Sequence, residues 1–89
     1  MTNAQHTPGP WAIEPDALGE YSIVTDNGGT IADVYGRNPA NARLIAAVPE
    51  LLAALDKLLT LNRTQGVTQE EYEAAEEEAE AAWSKATGK

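Results

Sequence analysis

The chain has 89 residues, 43% of them hydrophobic, with no cysteine and a formal net charge of −8 at pH 7; it is sized for one small domain that buries roughly two-thirds of its unfolded surface. The lack of cysteine excludes disulfides and thiolate metal sites and makes a cytosolic setting the simplest expectation, and the acidic charge disfavours direct binding to nucleic-acid backbones, where Lys and Arg displace counterions. Seven of the fourteen acidic residues are glutamates between Glu70 and Glu80, so the acidity is local and suits a basic protein partner.

Residues 1–5 are polar and featureless and read as a frayed tail. "MTNAQHTPGPW" has neither a basic n-region nor an apolar h-region, and no apolar run approaches the roughly 20 residues of a membrane span. In "HTPGPW", Pro8 presets the first corner of a turn and Gly9 suits the positive φ of the second, which predicts a type II turn over Thr7 to Pro10. The turn delivers Trp11 to a fixed place, most simply as a core anchor. "WAIEP" is a strand closed by Pro15 and the turn-rich "DALGE"; "YSIVTD" and "TIADVYG" then flank "NGG". Asn-Gly between β-branched runs signals a hairpin whose tight turn needs positive φ at both central residues. The expectation for residues 6–36 is a three-stranded antiparallel meander with Tyr21, Ile23, Val24, Ile31, Val34 and Tyr35 as its apolar positions. Their alternation is imperfect and leaves the covered face undefined, but a bare hairpin is barely stable in water and one face must be covered.

The cover is predicted to be a helix over residues 38–62. Leu44, Val48, Leu51, Leu52, Leu55, Leu58 and Leu59 recur at steps of three and four and define one apolar stripe. Pro49 removes a backbone hydrogen bond and crowds the carbonyl four residues back, so a bend is expected between Ile45 and Pro49. A break at Val48 with a new helix starting at Pro49 is the alternative; the unbroken stripe favours the bend. "NRTQGV" ends the helix, with Gly66 suited to a left-handed cap. "TQEE" is a capping box that starts a second helix over residues 68–87. Its stripe, Tyr72, Ala75, Ala79, Ala82, Trp83 and Ala86, buries little area, so this helix is weakly held within its own chain. The fold class is therefore α+β, a three-stranded antiparallel β-meander packed on a long bent helix, followed by a second acidic C-terminal helix. A homo-oligomer, most simply a dimer through Tyr72, Trp83 and leucines of the long helix, is the expected rescue for so small a core.

No catalytic constellation is legible. His6 is the one histidine and lies in the N-terminal arm, and neither a nucleophile elbow nor a phosphate-binding glycine loop occurs. The expectation is a non-enzymatic protein with no metal and no cofactor. The glutamate run reads as a solvated face that favours the helix macrodipole, with mimicry of a phosphate ladder as the sharper alternative. The start of the long helix is the better candidate for a site. Asn38 can cap it and Pro39 fits its first turn, while Arg37, Asn41, Arg43 and Tyr35 surround a helix start whose backbone N–H groups attract anions. Arginine supplies bidentate contacts to phosphate and the aromatic ring supplies stacking. Pairing of Arg37 and Arg43 with Asp33, Glu50 or the acidic helix is the plain structural reading of the same residues. With the leucine stripe buried, a rotation of 100° per residue sets Asn41 at the core edge and turns Arg43 away from the sheet, so that Arg43 would reach a ligand only beside the helix start or across a subunit boundary.

"HTPGPW", then a β-rich segment ending in "GGTIADV", then "ANARLIAAVPELLAAL" resembles a widespread family of small bacteriophage and prophage proteins, over about His6 to Leu59. The family pattern has alanine where this chain has Val48, and the glutamate-rich helix falls outside the shared part. The resemblance implies a phage accessory product in the cytoplasm of an infected bacterium rather than a virion component. Such products often counter host defence by sequestering a nucleotide-derived signal or by binding a defence protein. The resemblance covers His6, Trp11, Asn41, Arg43 and Pro49, so the expected ligand-binding set is His6, Trp11, Tyr35, Arg37, Asn41 and Arg43. The competing expectation is an acidic interaction module that inhibits a host defence protein, with no direct nucleic acid and no membrane as partner.

Overall fold

The computed structural model describes residues 6–89; the tail expected over residues 1–5 lies outside the described residues. Three strands, β1 (Trp11–Pro15), β2 (Tyr21–Thr25) and β3 (Thr30–Val34), form one antiparallel sheet in the order β1-β2-β3. Three helices follow, α1 (Pro39–Ala46), α2 (Val48–Arg63) and α3 (Gln69–Thr87). This is the expected α+β meander with a bent helical segment and an acidic C-terminal helix.

The turns are made differently from expectation. Gly9 does not adopt a positive φ, so Thr7 to Pro10 is no type II turn; a Cβ on Gly9 would lie 2.6 Å from Cβ of Pro49, and the glycine serves close approach to the helix. Between β2 and β3, Gly28 has φ +86 while Asn27 is not left-handed. The loop is Asp26 to Gly28, closed by Thr25 N donating to Gly29 O at 2.8 Å and Gly28 N to Thr25 O at 3.0 Å, a three-residue connection in place of the two-residue tight turn. The Thr25 hydroxyl favours it by bonding the Asn27 side chain and accepting from Gly29 N at 3.0 Å. A register shift at Ile23/Val24 leaves Ile31 unpaired between Ala32, opposite Ile23, and Thr30, opposite Val24. That β-bulge breaks the side-chain alternation of the strand.

The bend falls at Ala47, one residue that separates α1 from α2 and sets Pro49 in the first turn of α2. A proline there lacks only an N–H that would have no helical partner. α1 rests on the sheet, where Ala42 and Ala46 meet Ile23 and Val34, flanked by Trp11, Tyr21, Ile31 and Ile45. α2 turns away and pairs with α3, which also reaches back onto α1. The ion pairs Lys57–Glu78 at 3.1 Å and Lys85–Glu50 at 3.0 Å set α2 and α3 antiparallel. The expected buried leucine stripe is a correction: Leu44, Val48, Leu52, Leu55 and Leu59 are exposed, and the buried helical side chains are Ala42, Ala46, Ala47, Ala54, Ala75, Ala82 and Ala86. Small side chains bring helix axes and sheet close together, so the alanine face, not the leucine face, turns inward.

Candidate functional site

The start of α1 is a well-made cap whose first backbone donors are already used. The Asn38 carboxamide accepts from Ala40 N at 2.9 Å and Asn41 N at 3.2 Å, Ala42 N donates to Asn38 O at 3.2 Å, and Pro39 has no N–H. Each of the first helical donors is thus engaged or absent. Around it, Tyr35 is 74% exposed and Asn41 is exposed, which corrects the expectation of Asn41 at the core edge. Arg37 has φ 55 and its side chain lies beside Gly19 in the β1–β2 turn. That loop is tied down by Gly36 N donating to Glu20 Oε2 at 3.1 Å. His6 is exposed at the other end of the fold, in the arm before β1. Trp11 pairs with Thr25, whereas Val34, just before the helix start, pairs with Tyr21. Trp11 therefore sits about a strand's length from the chain that leads into the helix start, and the six expected residues do not line one pocket.

Two of them do meet, with partners the sequence did not nominate. Trp11, Ala12, Ile13, Arg43, Ala46 and Lys85 line a cleft of about 310 Å³ where β1, α1 and α3 converge. Trp11 is fixed from outside by its indole N–H, which donates to Thr7 O at 3.1 Å, so the HTPGP arm orients the ring. Lys85 Nζ donates to Trp11 O at 3.2 Å and to Glu50 Oε2 at 3.0 Å, joining β1, α2 and α3 at the cleft. Arg43 extends towards the C-terminal end of α3, where Gly88 has φ +75 and an added Cβ would lie 2.7 Å from its Nε. The expectation that Arg43 points away from its own sheet is corrected. It was phased on the leucine stripe, and burial of Ala42 and Ala46 instead rotates Arg43 towards β1 and α3.

Arg43 forms no ion pair and no hydrogen bond among the described residues, and its Nε is buried without a partner. Of the carboxylates nominated for it, Glu50 is engaged by Lys85 through Oε2 while its Oε1 is buried without a partner among the described residues, and Asp33 accepts from the Ser22 hydroxyl at 2.9 Å. Arg43, Lys85 and Glu50 together leave one net positive charge at the cleft of a strongly acidic chain. A larger hollow of about 490 Å³ between the arm and the β2–β3 loop is lined by Pro8, Pro10 and Ile31 with Asp26 as its one charged side chain, a poor match to an anion. Among the described residues no group of three or more His, Asp or Glu side chains is arranged to hold a metal, and no helix is long and apolar enough to cross a membrane.

A family model described as Salmonella phage P22 protein Y8K6 matches residues 1–89. The chain belongs to that family. The match covers the glutamate-rich helix as well as the two motifs, so α3 is part of the family's chain and not an appendage to it. Comparison with curated proteins and with solved structures gives no match. Lys85, Ile13 and Ala46 were missed from sequence because their meeting with Arg43 depends on how α3 docks; the one local signal was a lysine next to the small-residue stripe of α3.

Proposed function

We propose that this phage protein is a non-enzymatic accessory factor that captures a small phosphorylated or nucleotide-like molecule in the cleft between β1, α1 and α3, and that it thereby withdraws a signal from host defence. The observation that carries the reading is Arg43, a guanidinium with no ion pair or hydrogen bond among the described residues that lines one cleft with Trp11 in a chain of net charge −8. A guanidinium fork matches two phosphate oxygens, and an indole offers a flat face to a base. Lys85 adds a second cation, although Glu50 offsets its charge. The volume is at the lower end of the range of ligand sites and fits a group of mononucleotide size better than a large one.

The test is thermal denaturation in the presence of individual nucleotides and nucleotide second messengers. A ligand at 100 times its dissociation constant should stabilise the fold by about 2.7 kcal/mol. Arg43→Ala should abolish the shift, and Arg43→Lys should keep only part of it, because an ammonium is a point charge without the fork. Absence of any shift across such a panel removes the reading.

A second reading, an acidic module that docks on a basic host defence protein, draws on the outer face of α3. Glu70, Glu73, Glu76, Glu77 and Glu80 border one shallow hollow there, and none forms an ion pair among the described residues.

A further inference from the structure

The α2–α3 pair has two unlike edges. Glu50 and Lys57 on α2 and Glu78 and Lys85 on α3 form the two ion pairs, so all four lie along one edge. At 100° per residue from the buried Ala54, Glu50 and Lys57 lie on one side of the contact with α3, and Leu51, Leu55 and Leu58 lie on the other. The same count from Ala75 and Ala82 puts Glu78 and Lys85 on the ion-pair side of α3, and Tyr72 and Trp83 on the opposite one. The edge away from the ion pairs is thus apolar on both helices, and the ion-paired edge faces the Arg43 cleft through Lys85.

Along and outside this apolar edge Leu44, Val48, Leu52, Leu55, Leu59, Tyr72 and Trp83 are each between 37 and 54% exposed. Seven of the ten buried hydrophobic residues are alanines, so the chain folds its smallest apolar side chains inward and turns its largest outward. Val48, Leu52, Leu55 and Leu59 step by four, three and four residues, the a/d spacing of a helix seam that packs knobs into holes. No charged side chain occupies a position of that seam.

We propose that this face is the contact between two copies of the chain. Its seven side chains expose on the order of 600 Å², at the upper limit of what a monomer leaves uncovered. With a polar rim this approaches the roughly 800 Å² per partner of a stable interface. The chemistry selects the partner. A basic protein would be drawn to the glutamates on the outer face of α3 rather than to a neutral seam, and an anionic membrane surface is repelled by a chain of this charge. A leucine seam is complementary to itself, and the first such seam each copy meets is its own.

Sedimentation of the full chain from low micromolar to hundreds of micromolar tests this. The wild type should sediment as a dimer, and Leu52→Glu with Leu55→Glu should sediment as a monomer with unchanged far-ultraviolet circular dichroism, since both side chains are exposed in the single chain. A wild type that stays monomeric throughout, or a charged variant that stays dimeric, overturns the proposal. Should the charged variant unfold, the absence of native cysteine allows a second measurement. Leu55→Cys should be captured as a covalent dimer by a bifunctional maleimide at concentrations where Glu77→Cys, on the acidic face of α3, is not, and equal capture of the two overturns the proposal. Because the ligand cleft lies at the opposite edge, a monomeric variant that still responds to nucleotide separates failure of this interface from failure of the ligand reading.

Discussion

Gly9 and Pro49 join the two most distinctive stretches of the sequence. The arm lies so close to α2 that an alanine Cβ at position 9 would stand 2.6 Å from Cβ and 3.1 Å from Cγ of Pro49, and a proline ring on a helix cannot swing aside. Gly9→Ala should therefore push the arm off the helix at a cost of about 1–3 kcal/mol, the usual range for overpacking, read as a lower urea midpoint at unchanged slope. The same shift would release the Trp11 indole from Thr7 O and spoil one wall of the cleft. An unchanged midpoint would mean that the arm is free of the helix in solution. Trp11 was marked as a site residue by the family resemblance, and Arg43 by that resemblance together with its place on the first two turns of the helix. Lys85 was not, because its partners lie 35 and 74 residues away and no local pattern reports them. Tyr35, Arg37 and Asn41 were grouped by chain proximity to one helix start, and the strand register sets Trp11 at the end of the sheet away from Val34, which leads to that start.

At the scale of elements, local chemistry was legible and the choice of buried face was not. The capping box at Thr68 and Glu71, the Asn38 cap and the left-handed Gly28 all arise from interactions within four residues. The bulge at Ile31 and the rotation of α1 onto its alanines are decided by partners far along the chain. The periodicity of α1 and α2 supports two stripes, and the larger side chains argued for the wrong one. α3 carries a further prediction for the acidic reading. Glu73→Gln with Glu77→Gln removes two exposed charges from its outer face, so folding stability should move by no more than about 0.5 kcal/mol. If a basic host protein binds this face, its retention on the immobilised chain should fall sharply with that variant and steeply with salt. Retention that survives both changes would place the contact elsewhere. The response to nucleotide should be the same before and after the change, because neither glutamate lines the Arg43 cleft.

As a whole molecule the chain is drawn out. It measures 52 × 29 × 19 Å with a radius of gyration of 15.3 Å, against about 12 Å for a compact domain of this length. The sheet and α1 form one end and the α2–α3 pair extends from it, held by alanine contacts and two half-exposed ion pairs. Such ion pairs contribute little, about 0–1 kcal/mol each, and alanine burial yields much less than leucine burial. The pair would accordingly be the weakest part of an isolated chain and would gain most from a second copy. Linkage then makes stability depend on concentration, because mass action favours the species that only the folded chain can form. For a dimer that unfolds to separate chains, each tenfold rise in concentration should add about 1.4 kcal/mol per dimer, seen as a steady climb of the melting temperature across a dilution series. Leu52→Glu with Leu55→Glu should flatten that climb and bring the melting temperature to a single value at every concentration. A wild type whose melting temperature is already flat would mean that the leucine seam is solvated and that the alanine core suffices alone.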